Sequence, residues 1–296
     1  MIALVEIQDF LQKAGRGEID SSRLEPLIEK FGEDCKDAIR KQLSRRGGYR
    51  LRMSGIGRPL CQQQLEKEGM TQDVAYNDVM RFLMGDLVEA VAILVMKGAG
   101  INVVSEQKAC DLKIADQDIK GTLDVVLDID GEEKVWDVKS TSPWSYENKF
   151  SGRGGYDVIK EDDPFGYVMQ GHLYAEADKK PFGGWIAINK SSGEWDFVEA
   201  PEGQDADRKE YLKEANRRVS AIVNNEKFKV PFEAVPETYT RAGQKIDTGN
   251  KLLPKTCTFC SFKEHCWKNA VLAPKATSRA KFPPMVWYTK YKKPDE

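Results

Sequence analysis

The stretch GTLDVVLDIDGEEKVWDVKS, residues 121–140, decides the fold. Leu123, Val125, Leu127 and Ile129 alternate with polar or small neighbours, the period-two signature of a half-buried strand. Asp130-Gly131 is a strong two-residue hairpin turn. A second strand runs through Val135, Trp136, Asp137, Val138 and Lys139. With Ile129 and Glu132 flanking the turn, Asp124 lies opposite Asp137, and Thr122 opposite Lys139. Strand alternation then projects Asp124, Asp137 and Lys139 from one face. Two facing carboxylates repel, and a bound divalent cation removes that conflict; oxygen ligands suit Mg²⁺ or Mn²⁺. The same pattern also fits an ordinary hairpin with a solvated acidic face.

Working outward, residues 2–13 and 21–45 read as helices, and the run MSGIGRP at 53–59 breaks the helical pattern with glycines and a proline. Residues 72–97 carry strong helical character, followed by extended segments near 101–109 and 121–139. A Gly-rich loop covers roughly 141–163. Asp163-Pro164 offers an N-cap with proline behind it, opening a helix to about Asp178. Residues 184–200 read as a hairpin turning at Ser-Gly, 204–226 as a charged amphipathic helix, and the remainder as loop. The element order predicts an α/β fold with a central mixed β-sheet flanked by helices, preceded by a helical cap over 1–52. The main domain spans 53–270, and 271–296 is a basic, aromatic tail.

Two further positions bear on chemistry. Phe82, Glu89, Ile93 and Met96 share a helix face, so Glu89 sits in an apolar stripe where a bare charge is costly unless paired or metal-bound. Asp86 reads as a rim position. Gln170 and Tyr174 share a face four residues apart, a spacing that also suits packing; His172 lies off that face.

GDLVE (85–89), GTLD (121–124), DVK (137–139) and QGHLY (170–174) resemble, in order and separation, the catalytic core of the RecB-like branch of the PD-(D/E)XK nucleases. Many RecB-like members carry histidine where this chain has Glu89, and in that respect it is more similar to phage recombination exonucleases of the same superfamily. The resemblance implies a restriction-endonuclease-like core. It implies Glu89, Asp124, Asp137 and the Val138 backbone carbonyl as metal ligands, and Lys139 as the group that orients or activates the attacking water and steadies developing charge. Gln170 and Tyr174 would support the DNA end and the active-site lysine. The expected activity is an Mg²⁺- or Mn²⁺-dependent DNA exonuclease acting on single strands or DNA ends, in recombination, repair or phage genome processing. A restriction-like or nicking endonuclease is the alternative, and a DNA-binding protein with a vestigial site is the second. A recombination or single-strand-binding protein is the partner such a role admits.

The chain has six cysteines. Cys257, Cys260 and Cys266 form C-x2-C-x5-C, which is neither the usual zinc-finger pair nor a thioredoxin site. Thiolates favour soft metals, zinc and iron–sulfur clusters among them. Cys61, in SGIGRPLCQQQLE, is the candidate fourth ligand, with His265 as the alternative. One cysteine before the core and three after it resembles the AddB-type and CRISPR-adaptation nucleases, which implies a [4Fe–4S] cluster stapling both flanks of the chain; Zn²⁺ is the other occupant. Cys35 and Cys110 read as buried thiols.

Bulk properties exclude several classes. The chain has 296 residues, 41% hydrophobic and 31% charged, with net charge −2. Its longest apolar stretch, 82–96, contains Asp86 and Glu89 and is too short and too charged to cross a membrane. The N-terminus has no basic n-region or small-residue cleavage site, so the expectation is a cytoplasmic protein, or one of the host cytoplasm if phage-encoded. No G-x-x-x-x-G-K-[ST] loop is present, so ATP is not hydrolysed by that route. The acid-free segment from Arg40 to Arg58 and the basic tail suit a phosphate track, and equally a solvated surface.

Overall fold

The alternating segment becomes the centre of a five-stranded sheet in the computed structural model, which describes residues 2–44, 48–70 and 76–292. Helices α1 (Ile2–Gly15), α2 (Ser21–Leu43), α3 (Met53–Ile56), α4 (Leu60–Lys67) and α5 (Tyr76–Gly98) come first. Arg45 and Arg46 of the basic segment, and Lys293 of the tail, lie outside the described residues. Strands β1 (Asn102–Ile114), β2 (Gln117–Ile129) and β3 (Glu132–Thr141) form an antiparallel meander. Asp130 and Gly131 both have positive φ, as a tight hairpin turn demands. The β1–β2 turn uses Ala115 and Asp116, also at positive φ. Without Asn-Gly or Asp-Gly chemistry, that hairpin does not announce itself in the sequence.

Between β3 and β4 the chain forms α6 (Pro143–Ser145), a π-helical turn at Tyr146–Phe150, α7 (Tyr156–Glu161) and α8 (Tyr167–Asp178). The segment read as a Gly-rich loop is thus largely helical. The crossover lets β4 (Phe182–Asn189) pair parallel to β3, and β5 (Trp195–Glu199) closes the edge antiparallel to β4. Helix α9 (Asp205–Val223) follows. The sheet is mixed, in the order β1-β2-β3-β4-β5.

Helices cover both faces. On one face α1 and α5 enclose Ile7, Ile93, Met96, Val125, Leu127, Trp136 and Ile186, with α2 outside α5. On the other, α3, α8 and α9 enclose Met53, Ile56, Leu123, Val126, Val135, Leu173 and Val219. Ala3 and Ile7 are buried in the first core, so the N-terminal helix is part of the main body rather than a separable cap.

The C-terminal region corrects the expectation of loop and tail. Strands β6 (Val235–Arg241) and β7 (Gln244–Leu252) form a hairpin. After α10 (Lys255–Thr258) and α11 (Lys263–Cys266), β8 (Val271–Pro274) and β9 (Met285–Lys290) complete a second sheet in the order β6-β7-β9-β8. Its centre is polar: buried Glu237 accepts hydrogen bonds from Tyr288 Oη at 2.8 Å, Asn250 Nδ2 at 2.9 Å and Thr248 Oγ1 at 3.1 Å. A sheet pinned by a carboxylate gives no hydrophobic alternation to read. Among the described residues no helix is long and apolar enough to cross a membrane.

Candidate functional site

The expected β2–β3 register runs from Ile129↔Glu132 to Val125↔Trp136. One residue further on, the Asp124 carboxylate, rather than its backbone, accepts the Val138 N–H at 2.8 Å. Asp124 and Asp137 therefore meet side chain to side chain, where β3 turns its pairing to β4. The β2–β3 ladder stops at Val125↔Trp136, so the expected Thr122–Lys139 pairing does not form.

Asp137 is buried. Gln170 Nε2 of α8 donates to its Oδ1 at 3.1 Å, and Lys139 Nζ stands 2.6 Å from its Oδ2. Even so, Oδ2 has no well-directed hydrogen-bond donor among the described residues. The ring of Tyr167 lies 4.4 Å from Lys139 Nζ, a cation–π contact that limits where the ammonium can go. Glu89 reaches the same cluster from α5, held by Gln107 Nε2. Tyr174 is buried close enough to Asp124 and Asp137 for both charges to raise its pKa further after burial has done so.

Electrostatics bind these groups together. Burial pushes Glu89 well above the usual carboxylate range, and the charges of Asp124 and Asp137 add to the effect. Burial, then Asp137, raises Asp124 to about 7 against the pull of Lys139. Burial also raises Asp137, with Lys139 opposing. For Lys139, burial alone favours the neutral amine, but Asp137, Tyr167 and Asp124 outweigh it and the net shift is upward. The upward shift favours the ammonium form, which suits Lys139 to stabilising anionic charge.

Tyr167, Gln107 and Asp163 escaped the sequence reading of the site. Tyr167 lies three residues before Gln170 on the same helix, and that spacing was the available signal. Asp163 accepts the Tyr167 and Val168 N–H groups, both at 2.9 Å, which is the expected capping role moved to the true start of α8. Asp86 is held by Lys41 at 3.0 Å and Gln42 at 2.7 Å, tying α2 to α5. His172 is fully buried, 2.9 Å from Tyr156 Oη and stacked on Tyr211, and burial lowers its pKa to about 4; it packs away from the carboxylates.

A second constellation lies where α4 meets the C-terminal region. Cys61 of α4, Cys257 of α10, Cys260 between α10 and α11, and Cys266 of α11 line one small cavity, together with Leu65 and Trp267. Burial, then the neighbouring Cys260, Cys257 and Cys266, raises the Cys61 thiol to about 11. His265 is exposed and does not line this cavity. Cys35 and Cys110 stand apart and are part-exposed rather than buried. In the expected basic track, Arg40, Lys41 and Arg58 are paired with Asp37, Asp86 and Glu66, whereas Arg50 and Arg52 are exposed and join no ion pair among the described residues.

Among the described residues, no group of three or more His, Cys, Asp or Glu side chains stands as a ready metal site. The chemistry of the donors still differs sharply between the two clusters. The first is all oxygen, with two carboxyls raised by burial and then by the neighbouring carboxylates, and suits a hard divalent cation. The second is all sulfur and suits a soft metal or cluster.

No protein-family model matches the chain, and no curated protein does. Among solved structures, one described as "Crystal structure of SSO0001" aligns over 68% of this chain and 87% of that one, at 14% identity and a TM-score of 0.38. At that level the likeness carries no argument about function.

Proposed function

We propose that this protein is a metal-dependent DNA exonuclease that hydrolyses phosphodiester bonds in single strands or at DNA ends. The observation that carries the reading is the cluster of Glu89, Asp124 and Asp137 beside a cationic Lys139, with Gln170 orienting Asp137. Carboxylates forced together by the fold are destabilised alone and relieved by a divalent cation. Glu89, Asp124, Asp137 and the Val138 carbonyl would hold Mg²⁺ or Mn²⁺, which supplies Lewis acidity at the phosphoryl oxygen and lowers the pKa of water.

The chain's own residues do the rest. Gln170 fixes the Asp137 carboxylate, and the Val138 N–H fixes that of Asp124. Lys139, confined by Asp137 and the Tyr167 ring, offers its ammonium to the non-bridging phosphate oxygens, where negative charge grows as water adds to phosphorus and the P–O bond breaks. The Tyr174 phenol stays protonated at neutral pH and remains a donor facing the same cluster. Cys61, Cys257, Cys260 and Cys266 would hold an iron–sulfur cluster, whose presence is read from colour and metal content; hydrolysis needs no redox change, so its role is to join α4 to the C-terminal region.

The test is nucleotide release from labelled DNA with Mg²⁺ or Mn²⁺. Wild-type protein should cleave, EDTA should abolish cleavage, and Lys139→Ala should lower the rate by about 10²- to 10³-fold while DNA binding persists, the scale expected for one lost charge-stabilising donor. Wild-type DNA binding without any metal-dependent cleavage would refute the reading. Cleavage of a closed circle would assign the same chemistry to an endonuclease.

A further inference from the structure

A cleft of about 330 Å³ adjoins the carboxylate cluster, with Lys139 and Tyr167 forming its inner wall. That volume is in the range of small-ligand sites. Its outer walls are aromatic and come from distant parts of the chain. Trp144 stands on α6, Phe165 precedes α8, and Phe259 belongs to the cysteine loop. Phe165 stacks on Tyr167 with centroids 5.4 Å apart, and Phe259 meets Phe165 at 5.4 Å. Trp144 is 62% exposed and Phe259 57% exposed, so both rings remain accessible to solvent.

Charge is arranged around these rings. Lys255 Nζ lies 5.9 Å from the Trp144 ring centre. Lys149 donates to the Asp162 carboxylate at 2.8 Å, and Lys255 also pairs with Asp162. Asp163, the other acid in the lining, is occupied by the backbone N–H groups of α8. The lining thus holds three ammonium groups, and both of its carboxylates are already engaged. Solvent-accessible rings beside three ammonium groups, which share Asp137 and Asp162 as their partners, match an unpaired nucleobase and its phosphate, since every base has a face to stack and every link carries an anion.

We infer that this cleft is a base-stacking subsite, in which Trp144 and Phe259 grip an unpaired nucleobase next to the phosphate held at Lys139. The inference rests on the nuclease reading for its substrate class. It adds a preference for unpaired strands and gives the cysteine centre a task. Phe259 lies between Cys257 and Cys260, and Lys255 two residues before Cys257, so whatever holds those sulfurs also holds one wall of the cleft.

The test measures binding in EDTA, so that nothing is cleaved, by fluorescence anisotropy of two labelled single strands of equal length. One is oligothymidylate; the other is an abasic strand with the same number of phosphates. Wild-type protein should bind the base-bearing strand about 5- to 150-fold more tightly, the worth of one stacked base. The double variant Trp144→Ala/Phe259→Ala should bind both strands alike, at the wild-type abasic affinity. Trp144→Phe, which keeps a ring, should retain most of the preference, and the exposure of both side chains leaves the core intact in every variant. Equal wild-type affinity for the two strands, or an equal loss for both in the double variant, overturns the subsite. Failure to bind either strand overturns it together with the nuclease reading. Base-dependent binding without metal-dependent cleavage would sink the nuclease reading alone, and cleavage without base preference would sink the subsite alone.

Discussion

Replacing Asp124 by Asn should stabilise the metal-free protein above neutral pH while abolishing cleavage. Asp124 keeps its proton in the folded state up to about 7, whereas an ordinary aspartate loses it near 3.8. The folded form therefore holds more protons than the unfolded chain between those values. The contribution of this carboxyl is full below about 4 and is lost as pH rises through about 7. Keeping it ionised above that point costs at most roughly 4 kcal/mol. Asn is nearly isosteric, and its carbonyl oxygen can still accept the Val138 N–H. The expected gain is close to zero at about pH 4 and grows toward that ceiling by about pH 8. His172 runs the other way: burial depresses it to about 4, so its contribution is present above the unfolded value and lost as pH falls. It is common to both proteins and cancels in the difference. The assay is urea unfolding of wild type and Asp124→Asn in EDTA across that range, repeated with Mg²⁺, which should narrow the gap by stabilising wild type alone. Equal stability at about pH 8, or a gain that grows toward acid, refutes the assignment of strain to this cluster.

Three other expectations follow from separate parts of the molecule. A Cβ on Gly57 would lie 2.3 Å from the Gly166 carbonyl oxygen, where the α3–α4 corner crosses the start of α8. Gly57→Ala should therefore cost about 1–3 kcal/mol in thermal or urea unfolding, and should weaken cleavage by shifting Gln170; an unchanged melting temperature would show that the crossing yields freely. Protein purified without oxygen should be brown, with broad absorbance near ~400 nm, and Cys257→Ala should lose that colour and unfold earlier, while colourless protein with one equivalent of zinc would assign a zinc site instead. Neutralising Arg50 and Arg52 together should weaken binding evenly across DNA sequences and flatten the slope of log affinity against log salt by about 2, and an unaltered slope would return both to ordinary surface.

The central hairpin was legible because its signals are local. Period-two alternation, an Asp-Gly turn and a register counted from that turn bring the carboxyls of Asp124 and Asp137 together without knowledge of the rest of the chain. Glu89 stands out as a charge inside an apolar helical stripe, of which Ile93 and Met96 are buried but Phe82 is exposed. Long-range organisation was not legible. The parallel β3–β4 pairing depends on a crossover whose helices are short and glycine-punctuated, and the second sheet is pinned by the carboxylate of Glu237 instead of an apolar face. The resemblance to cluster-bearing nucleases proposed Cys61 as a companion of the distant cysteines, but only the packing of α4 against the C-terminal region puts all four on one cavity. The contact of Tyr167 with Lys139, and the cleft walled by Trp144, Phe165 and Phe259, exist only because α6, the approach to α8 and the cysteine loop converge. Sequence determines what each residue can do and what its near neighbours are. Which distant residues share a site is decided by how the helices and the sheet bury their apolar faces against one another, a property of the whole chain that no single segment carries.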